Sequence, residues 1–163
     1  GNQHFPGNWS ENYVAYTGTH DNDTTAGWIA TADETTLKAA KDYLHFDSTD
    51  DGVEAFIRCV LSSPCGMAVV PMQDVLHLGS EARMNTPGNP AGNWQWRVAA
   101  KDLTPALARK IHEMSARYFR AEPLPEAEPK KEKAPAPQPK AKAADAKEEK
   151  TTAPAKQAAK SAK

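Results

Sequence analysis

Cysteines, long apolar runs and, over its last quarter, aromatic residues are scarce in this 163-residue chain. Two cysteines, Cys59 and Cys65, are too few for a disulfide framework. No apolar run approaches the roughly 18 residues that a membrane-spanning helix needs, and the N-terminal segment has no apolar core of the kind found in secretion signals. These shortages predict a cytoplasmic protein without a membrane association. The missing initiator Met suggests that the chain begins partway through a longer protein.

The shortage of aromatic residues divides the chain in two. Residues 121–163 contain none, and they consist mostly of Lys, Ala, Pro and Glu, with 10 lysines against 7 acidic residues. Such a segment cannot bury enough apolar surface to offset the entropy lost on ordering. We therefore predict a folded region over 1–120 and a disordered tail over 121–163. The folded region carries 10 basic against 14 acidic residues, so neither part favours nucleic-acid binding.

The first half of the folded region predicts a strand, a polar loop and a helix. The strand is YVAY at 13–16, and the polar segment TGTHDNDTTAGW follows it at 17–28. Polar residues directly after a strand are typical of a site at its carboxyl end. Thr31 and Glu34 then form a capping-box pattern at the start of a helix.

The second half predicts a helix, a strand, a long loop and a final helix. Apolar residues recur at helical spacing over 53–61, with Cys59 as a buried free thiol on the same face. The apolar run at 67–72 predicts a strand buried on both faces. A loop over 73–96 and a helix beginning at Thr104 follow. This order predicts an α/β fold, the C-terminal portion of a (β/α)8 barrel, since a whole barrel takes roughly 250 residues.

Three side chains in the polar segment are candidates for chemistry, namely His20, Asp21 and Asp23. They could be metal ligands, although no other His, Asp or Glu cluster supplies the remaining ligands. They could form a turn in which Asp and Asn side chains bond the local backbone. They could also form a carbohydrate site, in which His and Asp bind sugar hydroxyls. The residues alone leave these three hypotheses open.

A resemblance favours the third hypothesis. The segment YTGTHDNDTTAGW at 16–28 resembles the fourth signature region of glycoside hydrolase family 77, the amylomaltases. The preceding HFPGNWSENYVA at 4–15 is similar to the approach to that region. Farther along, the segments at 61–88 and 92–97 resemble the last barrel strand and closing loop of the family. The resemblance covers about residues 4–120 and leaves out the tail.

The resemblance implies an α-amylase-like barrel that transfers a 4-α-glucan segment between maltooligosaccharides with retention at the anomeric carbon. Asp21 matches the family's transition-state-stabilising carboxylate, and His20 matches its sugar-contacting histidine. No segment resembles the nucleophile or acid/base regions, which we expect N-terminal to Gly1. The chain is therefore expected to be an inactive fragment of a longer enzyme that uses no cofactor and no metal.

Further candidates lie in the second half. Asn85 and Arg83 could contact the glucan, although Arg83 could instead anchor its loop through an ion pair with Asp74 or Glu81. Asp74, directly after a predicted buried strand, is a weaker candidate for substrate binding. The neighbouring Trp94 and Trp96 could stack on a sugar or simply pack in the core.

Two functions follow from these observations. The chain is expected to be part of a 4-α-glucanotransferase that acts on α-1,4-glucans. The alternative is a non-catalytic α-glucan-binding module. The pairing of His20 with Asp21 favours the enzyme, because a binding module needs no transition-state carboxylate.

Overall fold

The computed structural model describes residue 2 and residues 4–122. Two parallel strands pair in register, with Ala15 opposite Ala68, and helices lie before, between and after them in the sequence. The strands are β1 (Val14–Tyr16) and β2 (Met67–Val69), the α-helices are α1 (Thr25–Thr31), α2 (Glu34–Leu44), α3 (Thr49–Ser62), α4 (Met72–Val75) and α5 (Pro105–Arg117), and 3₁₀ turns occur at Pro6–Asn8, Ser80–Ala82 and Ala100–Asp102.

The longer helices begin where a side chain accepts a backbone N–H, which satisfies one of the free donors of the first turn. Asp33 caps α2 by accepting from Thr36 N, so the capping box predicted from Thr31 and Glu34 is wrong. Thr31 is the last residue of α1, where its hydroxyl donates to the carbonyl of Gly27. The caps of α1, α3 and α5 are Thr24, Ser48 and Thr104, the last as predicted.

The core forms where α1 and α2 pack on α3. Val53 of α3 is fully buried, with Ile29 and Phe46 beside it. Gly52 lets these side chains approach, because a Cβ there would lie 2.6 Å from Ile29 Cδ1 and 2.8 Å from the Phe46 ring. The apolar helical pattern predicted over 53–61 is therefore confirmed as the centre of the core.

The strands are covered less completely than predicted. Ala15 packs against Val60 and Cys65, but Met67 is 57% exposed and Val14 is 45% exposed. The prediction of a strand buried on both faces is therefore wrong, because within the described residues only the face that carries Ala15 and Ala68 is covered, and Val14 and Met67 point to the other face. The strand also ends earlier than predicted, since Pro71 caps α4.

The two cysteines differ in burial. Cys59 is only half-buried, so the prediction of a buried thiol is wrong for this residue, whereas Cys65 is 3% exposed. Both are free. Partial burial nevertheless raises the pKa of the Cys59 thiol above its usual range, because the thiolate loses hydration.

The remaining predictions about chain organisation concern the tail and the membrane. Apart from Ala121 and Glu122, the predicted disordered tail lies outside the described residues. Among the residues that are described, no helix has the length and apolar character needed to cross a bilayer.

Candidate functional site

Two loops that are far apart in sequence meet beside the carboxyl ends of the strands. The first loop, residues 17–24, follows β1, and the second, residues 83–94, follows α4 and a 3₁₀ turn. An open cavity of about 670 Å³ lies between them. The loop predicted over 73–96 therefore begins with helical residues, and its later part forms one side of the cavity.

Asp21 is the centre of the polar contacts in this cavity. Its Oδ1 accepts a hydrogen bond from Asn85 Nδ2 at 2.6 Å and lies 3.4 Å from His20 Nε2. The loops are also joined through the backbone, because Asn85 N donates to the carbonyl of His20 at 3.1 Å. About half of each of the His20 and Asp21 side chains stays exposed. The carboxylate is therefore oriented by the Asn85 amide and still open to a ligand.

Arg83 joins the two loops through backbone carbonyls. Its Nη2 donates to the carbonyl of Asp21 at 2.7 Å, and its Nε donates to the carbonyl of Asn85 at 2.8 Å. Of the two alternatives for Arg83, these contacts are those of a loop anchor, but they are made to backbone carbonyls and not to Asp74 or Glu81. A guanidinium presents several donors in a rigid fork, so one side chain can hold both loops.

Trp94 packs beside the imidazole of His20, with ring centroids 5.0 Å apart and planes inclined by 38°. Trp94 also lines the cavity, together with Asp21 and Arg83. Trp96 is half-buried and does not line the cavity. The two tryptophans therefore lie in different surroundings.

Asp74 lies beneath the first loop and is only 2% exposed. Its Oδ1 accepts from Thr25 N at 2.7 Å, and its Oδ2 accepts from the hydroxyls of Thr17 at 2.6 Å and Thr25 at 2.9 Å. Asp74 therefore ties the end of β1 and the start of α1 to α4. The threonines had not been singled out from the sequence, although hydroxyl residues directly after a strand are a signal of such a network.

Asp23 supports the other side of the same loop. Its carboxylate accepts from Thr24 N at 2.8 Å and from the Ser80 hydroxyl at 2.7 Å. The Asp23 carboxylate therefore bonds to Thr24 and Ser80, and not to His20 or Asp21. In residues 4–122 no three His, Cys, Asp or Glu side chains converge as a metal site would require.

A larger cavity of about 870 Å³ lies along β1 and is lined by residues such as Trp9, Tyr13 and Trp28. It contains neither His20 nor Asp21. We assign the candidate site to the smaller cavity, because the oriented carboxylate and its donors are there. The structure thus brings His20, Asp21 and Arg83 together around one opening, with Asn85 bonded to Asp21 beside it. Asp74 supports the first loop through its bonds to Thr17 and Thr25.

Comparisons with known proteins agree on one family. The family model described as 4-alpha-glucanotransferase, glycoside hydrolase family 77, matches residues 1–104. The chloroplastic/amyloplastic 4-alpha-glucanotransferase DPE1 of Arabidopsis thaliana is 47% identical over 97 residues, which is 60% of this chain and 17% of that protein. The 4-alpha-glucanotransferase of Clostridium butyricum is 40% identical over 122 residues, 74% of this chain and 25% of that protein.

A solved structure is similar as well. The amylomaltase from Streptococcus agalactiae, in complex with acarbose, matches with a TM-score of 0.69 and 31% sequence identity. The match covers 74% of this chain and 24% of that one. The chain belongs to glycoside hydrolase family 77. It spans no more than about a quarter of the length of these relatives.

Proposed function

We propose that this chain is part of a 4-α-glucanotransferase, which moves a segment of one α-1,4-glucan to the 4-hydroxyl of another glucan or of glucose. Membership of the family and the amylomaltase match support the reaction class. The observation that carries the proposal is the half-exposed Asp21 carboxylate, oriented by Asn85 at 2.6 Å. We propose a cytoplasmic location, although the name of the Arabidopsis relative places that protein in plastids.

The proposed architecture is the C-terminal portion of a (β/α)8 barrel. Parallel strands separated by helices are the repeating unit of such barrels, and β1 and β2 pair in this way. The exposure of Val14 and Met67 supports the proposal, because in a closed barrel side chains from the other strands cover the inward face of each strand. In this architecture the loops after β1 and β2 lie on the active face of the barrel.

Asp21 acts in the proposed mechanism on the sugar ring that undergoes transfer. A retaining reaction passes through an oxocarbenium-like transition state to a covalent glycosyl-enzyme, and hydrogen bonds to the sugar strengthen as positive charge develops. The free lone pairs of Asp21 accept from hydroxyls of that ring. His20 donates to a neighbouring hydroxyl of the same ring. Asn85 keeps the carboxylate in place and is itself within reach of the glucan.

Arg83 and Asp74 take supporting roles. Arg83 uses two of its donors on the carbonyls of Asp21 and Asn85, so it holds the loops at a fixed spacing while its remaining donors can reach the glucan. Asp74 is buried with both oxygens bonded, so we assign it to holding the loop rather than to substrate contact. Positioning of this kind is effective in catalysis because small displacements of reacting groups are costly.

The nucleophile and the acid/base are proposed to come from the polypeptide that precedes Gly1 in the full-length gene product. In retaining enzymes these two carboxyl groups are about 5–5.5 Å apart. Transfer, as opposed to hydrolysis, requires that an acceptor glucan rather than water reaches the glycosyl-enzyme, so the site must exclude water at that step.

The decisive experiment is incubation of the full-length gene product with maltotriose, followed by separation of the products. Glucose together with longer maltooligosaccharides is the expected result. Asp21→Asn is expected to remove the activity while leaving the fold intact. Binding of maltooligosaccharides without any transfer product, in wild type as in Asp21→Asn, would favour the non-catalytic glucan-binding module.

A further inference from the structure

Trp94 has an unusual backbone conformation. Its φ is 64°, in the left-handed region, and its side chain is 53% exposed. A bulky residue in this region is an outlier, because its Cβ crowds the neighbouring carbonyl. Strained conformations of this kind persist where the surrounding structure determines them, and they cluster at functional sites.

The surroundings of Trp94 do determine its conformation. Its N–H donates to the carbonyl of Met84 at 2.8 Å, and its carbonyl accepts from Arg97 Nη1 at 2.9 Å. The preceding Asn93 is fixed as well, because its Oδ1 accepts from Thr86 N at 2.9 Å and its Nδ2 donates to the carbonyl of Asn89 at 2.8 Å. Four hydrogen bonds of the loop thus hold an exposed indole in a strained backbone conformation.

The indole is directed toward the candidate site. It lies beside the His20 imidazole at a centroid distance of 5.0 Å, and it lines the same cavity as Asp21. The polar groups of this cavity suit the hydroxyls of a sugar. An exposed aromatic ring beside them suits the apolar C–H face of a pyranose, because binding sites combine aromatic surface with a few placed polar groups.

We propose that Trp94 is a glucan-binding residue, whose exposed indole face packs on a glucose unit held next to Asp21 and His20. This inference rests on the proposed function and adds one contact to it. The hydrogen bonds around Trp94 then have a use, since they hold the ring at the cavity.

Substitutions in the full-length gene product test the assignment. Trp94→Gly removes the ring and keeps the backbone, because glycine adopts positive φ without a Cβ clash. We expect it to raise KM for maltotriose about tenfold, the loss typical of one aromatic contact, with a smaller change in kcat. Trp94→Phe is expected to restore most of the affinity. Trp96→Phe, in the same segment but away from the cavity, is the matched control and is expected to keep the wild-type KM.

Tryptophan fluorescence gives a readout that does not depend on Trp94→Gly folding. Maltotetraose is expected to change the emission of wild type and of Trp96→Phe, and to leave Trp94→Phe largely unchanged. A full fluorescence change in Trp94→Phe, or an unaltered KM in folded Trp94→Gly, would overturn the assignment. If wild type forms no transfer products, the proposed function itself fails. If wild type is active and the substitutions at Trp94 change neither KM nor the fluorescence response, only this inference is refuted.

Discussion

The side-chain amide of Asn85 donates a hydrogen bond to Oδ1 of Asp21 across 2.6 Å, although 64 residues separate the two in the sequence. Asn85 therefore holds the Asp21 carboxylate in one orientation before a ligand binds. An amide is suited to this task, because it donates to the carboxylate without neutralising its charge.

Replacement of Asn85 is expected to lower transfer activity. Asn85→Ala removes one hydrogen bond to a charged group, so we expect about a tenfold loss of kcat/KM for maltotriose in the full-length gene product. Asn85→Asp is expected to lose more, because it places a second carboxylate against Asp21. Gln95→Ala, at an exposed position farther along the same segment, serves as the control. Activity of Asn85→Asp above that of Asn85→Ala would contradict this role.

Asp74 is expected to matter for stability as much as for activity. Asp74→Ala leaves the buried N–H of Thr25 without its acceptor, and each buried group left unsatisfied costs about 1–3 kcal/mol. We expect the free energy of unfolding, measured by urea denaturation, to fall by about 3 kcal/mol. Thr17→Val removes only one donor and is expected to cost less. Equal stability of Asp74→Ala and wild type would exclude the supporting role.

Gly27 allows α1 to approach the 3₁₀ turn that precedes the second loop. A Cβ at this position would lie 2.7 Å from Asp23 Oδ1 and would collide with the Ser80 hydroxyl. Alanine is the better helix former by about 1 kcal/mol, but overpacking costs typically 1–3 kcal/mol and here also breaks the bond between Ser80 and Asp23. We therefore expect a net loss of thermal stability in Gly27→Ala. Gly7→Ala is the control, because a Cβ at Gly7 would have its nearest contact 3.6 Å away. A gain in Tm for Gly27→Ala would show that the 3₁₀ turn can move to accommodate the methyl group.

The charge pair between Glu54 of α3 and Lys110 of α5 makes stability depend on pH. The hydrogen bond from Lys110 is the main reason that the pKa of Glu54 is lowered below the ordinary 4.5. A lowered folded-state pKa stabilises the protein above the unfolded value, and this stabilisation is lost as the pH falls through the folded value. Because the pair is partly exposed, we expect it to contribute about 0.5 kcal/mol. The free energies of unfolding of wild type and Glu54→Gln should differ near neutral pH and converge as the pH falls through the lowered folded-state pKa of Glu54. A difference that stays constant with pH would point to packing instead of charge.

The sequence predicted the elements whose pattern is strong. The apolar spacing over 53–61 and the Thr104 cap located α3 and α5, because helical periodicity and cap chemistry are local. The capping box at Thr31 failed for a local reason as well, since a threonine inside a helix can donate to the carbonyl four residues earlier.

Less of the candidate site than of the helices could be predicted from the sequence. The residues alone left three hypotheses for His20 and Asp21, and only the family resemblance favoured one. The burial of Asp74 could not be predicted, because its partners Thr17 and Thr25 lie 57 and 49 residues away. The position of Trp94 against His20 likewise depends on how the second loop returns to the first.

The bonds that shape the loop around Asp21 span between 49 residues, from Thr25 to Asp74, and 64 residues, from Asp21 to Asn85. Contacts of this range must offset a loop-closure entropy that the local contacts within helices do not incur. During synthesis, a nascent chain therefore carries the His20–Asp21 pair long before it carries the site. Until Asn85 has been synthesised, Asp21 lacks its hydrogen-bond donor, so the geometry proposed for glucan transfer cannot form before the second loop exists.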